Sequence, residues 1–191
     1  MAGVLEKLFG SSSRIKIIRL FFLNPEILFN PREISRRTKV ALPAVRREIL
    51  LLKNIGFINF INKKKKIQGL KLNTLFPFLH PLKNLVINTA PIDKEKLIKI
   101  LSSIGRMKLI ILSGIFIQSD DSNADVFLVG DSIRRGALER ALRNIEAQIG
   151  KELVYAVFST KEFLYRFGMY DRFVRDVLDY PHEKIVNKLN I

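Results

Sequence analysis

Asn30-Pro-Arg-Glu-Ile-Ser-Arg-Arg-Thr-Lys-Val-Ala-Leu-Pro-Ala-Val-Arg-Arg-Glu-Ile-Leu-Leu-Leu-Lys-Asn-Ile-Gly-Phe57 carries two helix starts, two helix stops and one basic face. Asn30 before Pro31 is a start signal. An Asn side chain accepts from the orphan amides of a first turn, and proline's fixed φ suits the first helical position. A short helix is expected from Pro31 to about Arg37, with Ile34 facing inward. Thr38-Lys39-Val40 reads as a turn. A longer helix is expected from about Leu42 to Asn54. There Val45, Ile49, Leu52 and Ile55 recur at helical spacing, and Gly56 is a helix-ending residue. Its other face carries Arg46, Arg47 and Lys53.

Upstream, Ser11, Ser12 and Ser13 offer caps for a helix through about Leu23. Ile15, Ile18, Leu20, Phe21 and Phe22 give it an apolar face, and Asn24-Pro25 stops it. Downstream, Phe57–Ile61 and Ile67–Leu72 are β-prone runs on either side of Asn62 and Lys63, Lys64, Lys65 and Lys66. They read as a hairpin with a basic tip. The order is thus helix, short helix, turn, basic helix, basic-tipped ribbon: a helix-turn-helix with a wing.

The charge falls on the same residues. The chain has 191 residues, with 33 Lys+Arg against 18 Asp+Glu, a net +15. Residues 1–90 hold 17 Lys/Arg and 4 Asp/Glu, or +13; residues 91–191 hold 16 and 14, or +2. A basic module joined to a near-neutral one is implied, with duplex DNA as partner of the first. A helix fits the major groove, where arginines reach base edges or phosphates. Lysines at a ribbon tip release counterions beside the groove. A rival use of the same module is protein contact without DNA. An anionic membrane would attract the charge too, but neither basic element has the apolar face of a membrane anchor, so no membrane partner is expected.

Residues 30–57 with the ribbon after them resemble winged helix-turn-helix transcription regulators of the ArsR/MarR type, over about residues 11–75. The resemblance implies Leu42–Asn54 as recognition helix and Lys63–Lys66 as wing tip. The DNA-facing set is then Arg46, Arg47 and Lys53, with Arg36, Arg37 and Lys39 at the approach. Pro43 and Ala44 lie in the first turn, where Ala44 would meet a thymine methyl.

The second half alternates strand and helix. Asn73–Leu85 reads as a connector with a helical piece. Helices are expected over about Asp93–Ile104, Arg134–Ile149 (capped by Ser132, ended by Gly150), Lys161–Arg166 (capped by Thr160) and Asp171–Leu178. Strands are expected at Arg106–Ser113, Asp125–Val129 and Glu152–Phe158, with a short closing strand at Lys184–Leu189. Leu112-Ser-Gly-Ile-Phe116, followed by Ser119-Asp-Asp-Ser-Asn-Ala-Asp-Val-Phe-Leu-Val-Gly-Asp131, resembles the minimal nucleotidyltransferase domain of the DNA polymerase β superfamily. In that family a strand ends in Gly-Ser, and a later one carries Asp-x-Asp. Two carboxylates two positions apart on a strand point the same way and can hold the Mg²⁺ ions of a triphosphate.

Residue by residue the pattern is worn. Gly114 matches, but Ile115 stands at the phosphate-binding serine. Asn123 stands at the first carboxylate, Asp125 matches the second, and Leu153–Phe158 offers no third. These four residues mark a degenerate site. No catalytic residue, metal or cofactor is therefore expected.

The resulting expectation is an α+β protein. A winged helix-turn-helix domain spans residues 1–86, and a small α/β nucleotidyltransferase-like domain with a mixed sheet spans 87–191. The function expected is DNA-binding regulation as a homodimer. The second domain serves dimerisation or the sensing of a nucleotide or protein partner. The alternative is an active, antitoxin-like nucleotidyltransferase that modifies a protein or RNA. Without cysteine there is no disulfide framework, thiol chemistry or Cys-ligated zinc. With no apolar run near the roughly 20 residues of a span and no secretory start, a cytoplasmic location is expected.

Overall fold

The computed structural model describes residues 4–63, 66–88, 92–119 and 121–191, excluding the side chains of residues 62, 63, 66–68 and 88. The chain is α+β. Among the described residues there are nine α-helices, a two-stranded antiparallel sheet and a mixed sheet of four strands. It divides into two compact units, Met1–Asp93 with Arg143–Lys151, and Lys94–Leu142 with Glu152–Ile191.

In the first unit, α1 (Val4–Phe9) leads into α2 (Ser12–Leu23), whose N-cap Ser11 accepts from the Arg14 amide. Six apolar residues of α2 are buried, so it forms the centre of this core. α3 (Pro31–Thr38) starts as its sequence requires, with the Asn30 side chain accepting from Glu33 N at 2.9 Å. It ends at Lys39, whose φ of 53° is left-handed. α4 (Leu42–Asn54) buries Val45, Ile49 and Leu52. Ile55, expected on that buried stripe, is exposed. The helix ends one residue earlier, and Gly56, at φ 79°, turns the chain before a further inward position arises. Phe21, Phe29, Phe57 and Phe76 pack edge-to-face around α2, the arrangement favoured by ring quadrupoles.

β1 (Ile58–Lys63) and β2 (Lys66–Leu72) pair antiparallel, Ile58 opposite Leu72 and Lys63 opposite Lys66. A third piece of backbone joins them. Phe29, just before α3, exchanges both amide–carbonyl hydrogen bonds with Leu70, at 2.8 and 2.9 Å. The ribbon is thereby tied to the entry of α3. α5 (Leu79–Asn88) follows, and the boundary expected between residues 86 and 87 lies within it.

The second unit is built on a sheet in the order β5-β4-β3-β6. β3 (Arg106–Leu112) is antiparallel to both β4 (Val126–Asp131) and β6 (Glu183–Asn187), and β4 is parallel to β5 (Tyr155–Phe158). β3 and β4 are buried almost throughout, as strands covered on both faces must be. Leu109, Ile111, Phe127 and Val129 face α8 (Thr160–Gly168) and α9 (Arg172–Asp179) through Phe163, Val174 and Val177. The alternate residues, among them Ile110 and Leu128, point to the other face, where α6 (Lys94–Ser102) packs on β3. α7 (Arg135–Ile149) connects β4 to β5, and its residues from Arg143 onward group with the first unit.

Two expected caps are displaced. Ser132 is not the cap of α7: it sits at φ 55°, three residues before the helix, and its hydroxyl accepts from Arg106. The cap of α8 is Ser159, which accepts from Glu162 N; the neighbouring Thr160 gives its hydroxyl to Asp131 instead. Among the described residues no helix is long and apolar enough to cross a membrane.

Candidate functional site

The surface of α4 divides by residue type. Val45, Ile49 and Leu52 are locked in the core, and Pro43, Arg46, Arg47, Leu50, Lys53 and Asn54 face outward. Among the described residues, Arg46 and Arg47 have no ion-pair or hydrogen-bond partner on the protein. The one acid of α4, Glu48, is held away from them. Ser11 donates to one of its oxygens at 2.7 Å and Arg14 to the other at 2.8 Å, so its charge is neutralised inside the fold. The charges left on the outward face of α4 are all cationic.

The approach residues are placed unequally. Arg36 is exposed on α3. Arg37 is half-buried: its guanidinium lies over the Phe29 ring, 5.5 Å from the centroid, and 4.0 Å from Glu33. It braces α3 against Phe29, whose backbone in turn pairs with the ribbon. The Lys39 ammonium donates to Asn144, within the same unit. Lys53 lies 4.5 Å over the Phe60 ring, which aligns it beside β1. Ala44 is half-buried against the core, and the exposed first-turn residue is Pro43. Leu50, 58% exposed, is an apolar side chain amid the arginines that the sequence reading passed over. Of the expected wing tip, Lys64 and Lys65 lie outside the described residues, as do the side chains of Lys63 and Lys66.

In the second unit, Gly114 opens a 3-10 turn (Gly114–Phe116) directly after β3. Asp125 stands just before β4 and is buried. One of its carboxylate oxygens accepts from Ile115 N and the other from Val154 N, both at 2.9 Å. The fit at the turn is close. Gly114 has φ 54°, and a Cβ there would lie 2.2 Å from the Asp125 carboxylate. Ser113 donates to the Ala124 carbonyl, and Ser122 accepts from Gly114 N at 3.0 Å. Asp125 therefore organises the turn that Ile115 belongs to. Asn123, exposed, donates to Asp176 of α9 at 3.0 Å, a partner that no local pattern signals. Among the described residues there is no group of three or more His, Cys, Asp or Glu that could hold a metal ion.

At the opposite end of this sheet, beyond the carboxyl ends of the parallel pair β4–β5, lies a cavity of about 560 Å³. Asp131, Ser132, Arg135, Glu139, Tyr155 and Glu162 contribute to its wall. Open α/β sheets bind ligands at such ends, but three carboxylates against one guanidinium oppose a triphosphate. The side chain of Asp131, at the end of β4, reaches the first residue of α8, where the Thr160 hydroxyl (2.8 Å) and amide (3.1 Å) donate to it. The Thr160 hydroxyl foremost, then its amide, holds the Asp131 carboxyl below the usual carboxylate range. Comparison of the chain with family models, with curated proteins and with solved structures finds no match.

Proposed function

We propose that this chain is a DNA-binding regulator. It reads duplex DNA with α4, braces the backbone with the β1–β2 ribbon, and carries a nucleotidyltransferase-like second unit that does not catalyse. The observation that carries the reading is the outward face of α4, where Arg46 and Arg47 stand unpaired while the only acid of the helix is neutralised by Arg14. Unpaired guanidiniums aligned on one helix face are suited to phosphates and to guanine edges. The Phe29–Leu70 bridge supports the same reading, because it makes the ribbon a fixed extension of the helical unit. For the second unit, the support is the placement of Gly114, Asn123 and Asp125 at one end of the sheet, with the carboxylate of Asp125 engaged by two backbone amides.

The test is binding of the full chain to a pool of random duplexes, followed by selection of the bound fragments. Binding that weakens steeply with salt is expected, with one sequence class enriched. Arg46→Ala and Arg47→Ala should weaken binding and relax the enriched sequence by about 1–3 kcal/mol per lost base contact. Binding unchanged in the double variant would overturn the assignment of α4.

A further inference from the structure

α9 arranges its charges against its own dipole. Arg172 and Arg175 lie in its first half, Asp176 and Asp179 in its second; its first turn holds no acid and its last no base. Apart from the N-cap Asp171, every charge sits nearer the helix end of its own sign, an order that lowers the stability of a lone helix. The four residues stand at i, i+3, i+4 and i+7 and so form one stripe. Arg172, Arg175 and Asp179 are exposed, by 96%, 55% and 65%, while Asp176, at 29%, is half-buried and accepts from Asn123. Within one copy Arg172 lies 3.9 Å from Asp176 and Arg175 3.6 Å from Asp179, solvent-facing i,i+4 pairs that hold weakly and that a facing copy can exchange for pairs across the interface. The other side of the helix is committed to the sheet through Val174 and Val177. Exposed large side chains flank the stripe at both ends, Met169 and Tyr170 before it and Tyr180 after it. Tyr170 has φ 55°, a conformation that asparagine or glycine adopts more readily than a bulky residue. Arg175 lies 5.7 Å over its ring.

We infer that α9 is the centre of a twofold interface between two copies of this chain, with the two α9 helices antiparallel. A twofold interface must be self-complementary. A stripe ordered plus, plus, minus, minus meets that condition when its mate runs the other way. The cationic half of each copy then faces the anionic half of the other, the dipoles oppose, and the Tyr170 end of one meets the Tyr180 end of the other. An apolar patch alone would accept any apolar partner; the charge order selects an antiparallel copy of itself. The pairing does not depend on the DNA reading, and it is measured without DNA.

Sedimentation equilibrium of the full chain over a range of protein and salt concentrations provides the test. The wild-type chain is expected to dimerise, less so at high salt. Arg172→Glu with Arg175→Glu, and separately Asp176→Lys with Asp179→Lys, should each weaken the dimer by at least roughly a hundredfold, because like charges then face each other. Combining all four substitutions restores opposite signs and should restore the dimer, as should mixing the two double variants. The reversed order also suits the helix dipole, so the fold is expected to persist, monitored by circular dichroism. Tyr170→Asn, which relaxes the left-handed backbone, should melt no lower than the wild type yet dimerise more weakly. A wild-type chain that stays monomeric, a dimer indifferent to either double reversal, or a folded fourfold variant that stays monomeric would each overturn the inference.

Discussion

Asp125 shows how one residue type supports two opposite readings. An aspartate before an apolar strand, two positions after Asn123, fits a metal-binding carboxylate. In the structure its oxygens accept from the amides of Ile115 and Val154, and it is buried. A buried amide left without an acceptor costs about 1–3 kcal/mol and a part-buried one less; the amides of Ile115 and Val154 are part-buried, so Asp125→Ala is expected to destabilise the second unit by roughly 2 kcal/mol, read by thermal or denaturant unfolding. Gly114→Ala should do at least as much. It combines a left-handed φ with a Cβ placed 2.2 Å from that carboxylate, and relief would require the turn itself to move. Substitution effects confined to ATP affinity, with no loss of stability, would return Asp125 to a metal-site role.

Asp131 yields a pH prediction at the same scale. Its carboxyl is held low by the Thr160 hydroxyl and then the Thr160 amide. Burial opposes this, and Arg106 and Lys108 on the adjacent strand add to it. A carboxyl lowered in the folded state favours folding above its unfolded value, near ~3.9. That contribution fades as pH falls through the folded value. Thr160→Val removes the strongest donor. In a carbon-detected NMR titration the Asp131 midpoint should rise toward the ordinary range, and acid unfolding between about pH 4 and the folded value should lose part of its steepness. An unmoved midpoint would show that the hydroxyl is not the cause.

At the level of elements, what could be read from the sequence was set by how local the causes are. α3 begins where Asn30 and Pro31 place it and α4 ends where Gly56 turns the chain, because capping and helical spacing act within a turn or two. Ile55 failed for a local reason as well: spacing continues past the point where a helix stops. Thr160 failed for a non-local one. Ser159 and Thr160 can both cap α8, and the choice follows from Asp131, which claims the threonine hydroxyl from a strand 29 residues away. The Phe29–Leu70 bridge left no trace in the pattern, since a single paired residue has no period. The cationic face of α4 was legible as Arg46, Arg47 and Lys53. Its purity was not, because that depends on Ser11 and Arg14 reaching Glu48 from another helix. The Gly114 and Asp125 pattern was visible too, whereas the two amides that engage the carboxylate come from segments brought together only by the fold.

For the whole molecule, the decisive quantity is the uneven charge, +13 in residues 1–90 against +2 in residues 91–191. If the basic half binds duplex DNA, affinity must fall with salt at about 0.9 logarithmic units per phosphate neutralised. Arg36, Arg46 and Arg47 with two to four wing lysines make roughly five to seven contacts, hence a slope of about −5 to −6. Replacing Lys63, Lys64, Lys65 and Lys66 by alanine should flatten that slope by up to about 3.6 while weakening all sequences alike. Replacing Arg46 and Arg47 should flatten it by at most about 1.8 but change which sequences bind. The two variants thus separate phosphate attraction from base reading in one pair of titrations, with affinity and sequence preference as independent readouts. Alanine substitutions of Arg172 and Arg175 serve as the internal comparison. They remove as much positive charge as the α4 pair, but from the near-neutral half. Under the proposed reading they change binding only through the concentration at which two copies associate, and leave the slope per bound copy as it was. A slope that tracks total charge, whichever half loses it, would mean that the attraction is diffuse and that α4 and the ribbon hold no special place in it.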